Sequence, residues 1–264
     1  MKIILLFYQD FDIILEIFIY QLLLLNNKMT EDLLLAKLIR VIDHKANSLK
    51  IFDWIPINFK NESMSTGLQD IIRFGENNCV ISKGSKVLDM GSGNGTSSLI
   101  WAKEGYTVTG IELHPELVDI ALDATSYASA QSLINILPKF YSGSYFPKKY
   151  IDMRNENKSK AVIMEKKFTE EGLQSKFHFR SYSERFHPIC FKDIYENNTI
   201  DIKEFDIFYA YVWPVQSPSI VEMFSLYARE DAKLCLINCY DPKNMCLTFN
   251  LNAYENIPFF FSKL

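Results

Sequence analysis

Short apolar runs alternate along this chain with longer segments of helical periodicity. Runs rich in β-branched and aromatic residues predict strands. They lie at residues 86–90, 106–113, 176–181, 205–212 and 233–238, with two shorter aromatic strands near residues 245–251 and 258–262. Strand and helix alternate at intervals suited to right-handed crossovers between parallel strands. The pattern therefore predicts a three-layer α/β sandwich around a mostly parallel sheet of seven strands.

The helices between these strands have recognisable ends. One helix is expected over residues 96–103, and another over residues 115–137, which begins at one proline and is stopped by the next. Two patterns compete for the start of the helix after the fourth strand. Either Ser217 caps it, or Ser219 and Glu222 form a capping box.

The first 28 residues are dense in Ile, Leu and Phe. Asp10, Asp12 and Glu16 interrupt them, so no uncharged run of about 18 residues is left to span a bilayer. The flanking residues do not fit a cleaved signal peptide either. We expect Met29 to be the functional start and residues 1–28 to be a dispensable extension. An amphipathic helix on a membrane surface or on a partner protein is the rival interpretation.

The rest of the chain divides into a helical region and a main domain. Residues 29–82 are expected to form helices, and residues 83–264 the main domain. Within that domain, a stretch near residues 138–172 interleaves aromatic residues with lysines, and its length predicts an insertion. Such a stretch can bind single-stranded RNA. Its glutamates reduce the net positive charge, however, and favour a solvated insertion with one short helix. Helical spacing in the N-terminal region is carried by Leu33, Leu34, Leu38, Ile39, Ile42, Leu68, Ile71 and Ile72.

Composition narrows the class of protein. The chain has 264 residues, 48% of them apolar, and a formal net charge of −4, so nothing draws it globally to nucleic acid. We expect no nucleic-acid partner and a cytoplasmic location. Five scattered cysteines indicate reduced thiols, and because Cys235 and Cys239 have no matching second pair, no metal site is expected.

The residues at the end of the first strand carry the most informative motif. Residues 86–95 read Lys-Val-Leu-Asp-Met-Gly-Ser-Gly-Asn-Gly, a strand ending in the carboxylate of Asp89 and then glycines at alternate positions. Glycines allow the backbone to approach a bound nucleotide closely. The second strand also ends in an acid, Glu112, which lies 23 residues after Asp89. This is close to the roughly 20-residue offset at which βαβ folds place a carboxylate on ribose hydroxyls.

At these residues the chain resembles the class I S-adenosylmethionine-dependent methyltransferases. Their first motif reads hhD/ExGxGxG, and the acid that ends their second strand holds the cofactor ribose. The match is specific over residues 87–95 and 110–113 and extends, in strand order, to about Tyr240. The resemblance implies a Rossmann-like fold with an antiparallel hairpin at the sheet edge, N-terminal helices over the cofactor, and methyl transfer from S-adenosylmethionine. It implies cofactor contacts by Asp89, Gly91, Ser92, Gly93, Gly95, Glu112 and Leu113.

Two other functions are weighed against this one. A nicotinamide-dependent oxidoreductase would carry G-x-G-x-x-G and place a pyrophosphate on the turn, where Asp89 would repel it. A catalytically inactive methyltransferase fold that acts as a binding protein would not need both Asp89 and Glu112. The glycine spacing and the two acids therefore favour an active methyltransferase.

The methyl acceptor is expected at the end of the fourth strand. Adenine and glutamine amino-group methyltransferases read N/D-P-P-Y/F there, whereas this chain reads Tyr211-Val-Trp-Pro214. Tyr211 and Trp213 are candidates for the pocket wall, and packing in the core is the equally weighted interpretation. Because the segment offers no lysine, histidine or carboxylate as a base, a small-molecule nitrogen or a protein lysine is favoured as acceptor. No catalytic residue is assigned.

Overall fold

The computed structural model describes residues 31–49, 62–156, 158–170, 194–195, 199–211, 216–237, 241–254 and 257–264. Its strands are β1 (Lys86–Met90), β2 (Thr107–Glu112), β3 (Lys139–Ser142), β4 (Ile207–Tyr211), β5 (Lys233–Ile237), β6 (Leu251–Tyr254) and β7 (Ile257–Lys263). Its α-helices are α1 (Glu31–Ser48), α2 (Glu62–Asn77), α3 (Thr96–Lys103), α4 (Pro115–Ala130), α5 (Lys148–Asn155), α6 (Lys160–Glu170), α7 (Ser217–Tyr227) and α8 (Pro242–Phe249).

The strands form one seven-stranded sheet in the order β3-β2-β1-β4-β5-β7-β6. The first five strands of the chain pair in parallel, and β7 pairs antiparallel with both β5 and β6. This confirms the predicted Rossmann-like α/β fold, with the hairpin at the sheet edge that the resemblance implied. Parallel pairing also brings the carboxyl ends of β1, β2, β3 and β4 to one edge, where such sheets bind their ligands.

A layer of helices covers each face of the sheet. Side chains that alternate along β4 belong to two separate apolar clusters, with Ile207 on one face and Phe208 on the other. Helices α1–α4 pack against the first face and α5–α8 against the second. The predicted three-layer sandwich is therefore correct, and the N-terminal helices belong to the layer that includes α3. No helix in the described ranges is long and apolar enough to cross a membrane.

The third strand differs from the sequence analysis. It lies at Lys139–Ser142, inside the stretch interpreted as an insertion, and pairs in parallel with β2. Residues 176–181, where a strand was expected, lie outside the described residues. The remainder of the described stretch forms α5 and α6, where one short helix was expected. The chain therefore returns to the sheet about 37 residues earlier than the pattern indicated.

Two other elements also end or begin at positions that differ from those predicted. Helix α4 ends at Ala130 rather than continuing to residue 137, because Ser132 adopts a left-handed φ of 56° and the Leu133 amide bonds back to the Ala128 carbonyl. Residues 242–249 form a helix where the start of a strand was expected near residue 245. Asp241 caps that helix by accepting a hydrogen bond from the Asn244 amide.

Both predicted caps of helix α7 were wrong. The residue before α7 is Gln216, and Ser217 is the first residue of the helix, without a side-chain capping bond. Ser219 and Glu222 both lie inside α7 and are buried. Glu222 instead accepts hydrogen bonds from the Tyr150 hydroxyl at 3.0 Å, from the Ser159 hydroxyl and from the Lys160 amide at 2.7 Å. The Lys160 amide is the first of α6, so the carboxylate of Glu222 stabilises the start of a different helix.

Candidate functional site

A glycine turn links the end of β1 to the start of α3. Gly91, Gly93 and Gly95 have φ values of 78°, 55° and 86°, in the left-handed region that side chains rarely adopt. The Gly91 amide and its neighbour donate to the Ile111 carbonyl of β2 at 2.9 and 3.0 Å, which fixes the turn against the next strand. A Cβ placed on Gly95 would lie 2.7 Å from the Cβ of Ala121 in α4, so this glycine is also required by packing.

The acid at the end of β2 lies beside this turn, as its position in the sequence indicated. Glu112 is 7% exposed, and its two carboxylate oxygens accept separate backbone hydrogen bonds. Oε2 accepts from the Gly93 amide at 2.9 Å, and Oε1 accepts from the His114 amide at 3.0 Å. Each oxygen keeps a further lone pair. Glu112 therefore fixes the middle of the turn and can still accept hydrogen bonds from a ligand.

The acid at the end of β1 is more deeply buried. Asp89 is 1% exposed, and its Oδ2 accepts hydrogen bonds from the hydroxyls of Ser97 and Ser98 at 2.7 and 2.6 Å. Burial raises the pKa of this carboxyl from 3.8 to about 6; the two hydroxyls oppose the rise, and the charge of Glu112 adds a smaller increase. Asp89 thus joins β1 to the first turn of α3 at the cost of burying a carboxylate.

Asn94, within the turn, connects α3 to the N-terminal helix. Its side-chain oxygen accepts from the Thr96 hydroxyl at 2.9 Å and from the Thr96 amide at 3.3 Å. Its amide nitrogen donates to Oδ1 of Asp43 in α1 at 2.6 Å. Burial raises the pKa of the Asp43 carboxyl from 3.8 to about 6, against a lowering by the bond from Asn94. The sequence analysis did not identify Asp43, because periodicity alone does not show which polar residue of α1 reaches the turn.

Tyr145 is a second residue that the sequence analysis did not place at the site. It follows β3 by three residues, and its ring lies 3.7 Å from where a Cβ on Gly91 would be. Burial raises the pKa of its hydroxyl, and the charge of Glu112 adds to that rise. Had the third strand been placed at 139–142, the position of Tyr145 after a strand end would have been the signal.

The remaining predicted contacts lie in different environments. Leu113 is 40% exposed at the same edge. Ser92 is buried, and its hydroxyl has no hydrogen-bond partner among the described residues. A Cβ on Gly110 would lie 2.8 Å from the Cβ of Ser92, so that side chain is turned toward β2 rather than outward. Only the backbone of Ser92 is therefore placed to contact a ligand.

Of the two residues predicted to line a pocket at the end of β4, the structure describes only Tyr211. Tyr211 is half-buried and packs against the apolar cluster on the side of α1–α4. Tyr209, two residues earlier, is a core residue, with its ring centroid 5.8 Å from that of Trp101 in an edge-to-face contact. Trp213 lies outside the described residues.

Three carboxylates therefore surround the glycine turn: Asp43 from α1, Asp89 from β1 and Glu112 from β2. Within the described part of the chain, none of them forms an ion pair with a lysine or arginine. The described residues also include no group of His, Cys, Asp and Glu side chains arranged to hold a metal ion. A site with this charge favours a cationic ligand with hydroxyl donors and disfavours a pyrophosphate.

Comparison with known proteins finds likenesses among solved structures only. The sequence matches no protein-family model and no curated protein. Among solved structures, it resembles an RNA methyltransferase from Salinibacter ruber in complex with S-adenosyl-L-homocysteine, with 13% identity over 65% of this chain and 73% of that one and a TM-score of 0.38.

Two further solved structures resemble this chain with similar identities and TM-scores. One is a SAM-dependent methyltransferase from Thiobacillus denitrificans, also with S-adenosyl-L-homocysteine, at 13% identity over 67% of this chain and 48% of that one, TM-score 0.35. The other is a precorrin-6y C5,15-methyltransferase from Geobacter metallireducens, with 10% identity over 72% of this chain and 69% of that one and a TM-score of 0.37. The chain spans about half the length of the Thiobacillus protein.

The chain's own architecture defines its fold class. A parallel sheet with an antiparallel edge hairpin, a glycine turn after β1 and an acid at the end of β2 occur together in it. This is the Rossmann-like fold that the motif implied.

Proposed function

We propose that this chain is an S-adenosylmethionine-dependent methyltransferase. The observation that carries the proposal is the glycine turn surrounded by Asp43, Asp89 and Glu112, with no ion-pair partner for any of them among the described residues. S-adenosylmethionine carries a sulfonium, an ammonium, one carboxylate and two ribose hydroxyls, so it is a net cation. Cations and hydroxyl donors are the groups that uncompensated carboxylates bind best.

Residues in and beside the turn have proposed roles in holding the cofactor. Glu112 would accept hydrogen bonds from the ribose hydroxyls through the lone pairs that its backbone contacts leave available. The backbone of Gly91, Ser92 and Gly93 would lie along the cofactor, since no β-carbon obstructs the turn at either glycine. Tyr145, three residues after β3, offers a ring on which an adenine can stack. Bound S-adenosylmethionine supplies an activated methyl group that passes to an acceptor by in-line displacement.

The acceptor class is proposed from what the fourth strand offers. Residues 211–214 contain no lysine, histidine or carboxylate, so they provide no strong base for an unactivated alcohol. A small-molecule nitrogen or a protein lysine loses its proton more readily and is therefore favoured. Tyr211 and Trp213 are proposed to line the side on which the acceptor approaches.

The proposal is tested by transfer of label. The protein is incubated with methyl-labelled S-adenosylmethionine and a cell lysate, and label is counted separately in the protein and small-molecule fractions. We expect label in one fraction, dependent on the protein, and strongly reduced for Glu112→Ala. Label equal to that of a boiled sample would contradict enzymatic activity. If the cofactor binds without any transfer, the inactive binding fold is favoured instead.

Three further proposals concern the chain around this domain. We propose that the protein acts in the cytoplasm, without a nucleic-acid partner, and that residues 1–28 are dispensable. Expression from Met29 tests the last point, since α1 begins only two residues later and carries Asp43. Loss of soluble protein that binds the cofactor would show that the extension is needed.

A further inference from the structure

Helix α1 places a carboxylate at the glycine turn that no sequence motif marks. Asp43 reaches Asn94, between Gly93 and Gly95, with an oxygen-to-nitrogen distance of 2.6 Å. Asn94 is itself buried and holds the start of α3 through Thr96. The N-terminal helix therefore contacts the residue at the centre of the candidate cofactor site, although 51 positions separate Asp43 from Asn94.

The contacts among the described residues do not explain the charge of Asp43. The Asn94 amide needs only an acceptor, and a neutral side-chain oxygen would satisfy it as well. Lys45, on the same helix, pairs with Asp123 of α4 at 2.8 Å instead. Asp43 forms no ion pair among the described residues, yet it is half-buried. Burying part of a carboxylate without a cationic partner destabilises the fold. A cationic group of a ligand, bound at this carboxylate, would offset that cost.

We propose that Asp43 binds the ammonium group of the cofactor's amino-acid end; this inference rests on the proposed function. The carboxylate of Glu112 accepts a hydrogen bond from the Gly93 amide and is assigned to the ribose hydroxyls of the cofactor. Asp43 approaches the turn at the next residue, from the helix layer opposite α5 and α6. The amino-acid end is the remaining part of the cofactor that carries an ammonium. Asp43 therefore selects cofactors that carry this group, and α1 is part of the binding site.

The experiment compares two ligands and two matched variants. Dissociation constants are measured by calorimetry for S-adenosylhomocysteine and for methylthioadenosine, which has the same nucleoside but no amino-acid end. Asp43→Asn removes the charge and keeps an oxygen to accept from Asn94. Asp123→Asn removes an exposed carboxylate that pairs with the same helix and serves as the control.

We expect Asp43→Asn to weaken S-adenosylhomocysteine binding at least tenfold and to leave methylthioadenosine binding within twofold. Asp123→Asn should change neither by more than twofold. Equal weakening of both ligands would overturn the proposal, because Asp43 would then act only through the shape of the turn. Unchanged dissociation constants for both ligands in Asp43→Asn would also overturn the proposal. If Asp43→Asn does not fold, Asp43→Ser carries the same expectations.

The wild-type protein separates the two inferences. If it binds neither ligand, the cofactor site is contradicted and the role of Asp43 is overturned with it. If it binds both ligands and Asp43→Asn loses only S-adenosylhomocysteine, the role of Asp43 is supported, and the labelling experiment decides separately whether methyl transfer occurs.

Discussion

Replacing Asp89 with asparagine should stabilise the fold at neutral pH. The Asp89 carboxyl is 1% exposed, and its pKa rises from 3.8 to about 6, mainly through burial. Because the folded-state pKa lies above the unfolded one, the stability this group contributes is fully present below about pH 4 and is lost as the pH rises through 6. Ionisation of Asp89 in the fold therefore costs about 3 kcal/mol at pH 7.5 and about 1 kcal/mol at pH 4.5.

The amide in Asp89→Asn avoids this cost but brings a new one. Its oxygen can still accept from the hydroxyls of Ser97 and Ser98, whereas its buried NH₂ loses solvent at a cost of about 1 kcal/mol. The net gain is then about 2 kcal/mol at pH 7.5 and close to zero at pH 4.5. For a chain of this length, the first figure corresponds to a rise in Tm of about 4–8 °C.

Thermal unfolding followed by circular dichroism at both pH values measures this difference. Asp123→Asn is the control, since an exposed pair contributes little and its Tm should move by no more than about 1 °C at either pH. A lower Tm for Asp89→Asn at pH 7.5, or an equal shift at both pH values, would refute the conclusion that the buried charge is a net cost. The stabilised variant should also bind the cofactor more weakly, because a carboxylate has been removed from the site.

Four other substitutions have expected outcomes. Glu112→Ala should weaken S-adenosylhomocysteine binding about ten- to a hundredfold, since charge-assisted hydrogen bonds to a buried carboxylate contribute about 1.5–3 kcal/mol; calorimetry measures it. Gly95→Ala should lower Tm by several degrees because its Cβ would lie 2.7 Å from another methyl group at a φ of 86°. In Gly67→Ala, in α2, the added Cβ would meet no other atom of the described residues within 4 Å, so this substitution should instead stabilise the fold by about 0.5–1 kcal/mol. Glu222→Ala should destabilise by about 3–5 kcal/mol, because two buried hydroxyls and the part-buried Lys160 amide lose their acceptor, at about 1–3 kcal/mol for each buried group; denaturant unfolding measures it, with the exposed Glu230→Ala as control.

Each of these expectations has an outcome that would contradict it. An unchanged dissociation constant in a folded Glu112→Ala protein would remove this residue from the cofactor site. Equal Tm changes for the two glycine variants would show that the tight packing under the turn is not limiting. A loss below about 1 kcal/mol for Glu222→Ala, comparable to that for Glu230→Ala, would mean that water replaces the buried acceptor.

The first two strands and the glycine turn were predictable because their signals are local. A β-branched run, an acid and glycines at alternate positions lie within residues 86–95, and β2 follows after one short helix. The third strand gave a weak signal. It is four residues long, lies at the edge of the sheet and is nowhere fully buried, so no apolar run marks it. Misplacing it also concealed Tyr145.

The contacts that complete the site could not be predicted from local patterns. Asp43 meets Asn94 across 51 positions, and Glu222 caps a helix that begins 62 positions before it. In both cases a polar residue satisfies a distant backbone or side-chain donor, and neither spacing is fixed by helical or strand periodicity. Glu222 even matches a capping box with Ser219, yet burial of α7 against α6 gave its carboxylate a different partner.

Calorimetric titration of the wild-type protein tests the central claim most directly, with S-adenosylhomocysteine and NADH as the two ligands at equal concentration. Saturable one-to-one binding of S-adenosylhomocysteine is expected, because Asp43, Asp89 and Glu112 favour a ligand with an ammonium and free ribose hydroxyls. NADH should give no binding, since its pyrophosphate would meet those same carboxylates. Binding of NADH in place of S-adenosylhomocysteine would contradict the methyltransferase assignment, and binding of neither would favour a fold that serves only as a binding partner.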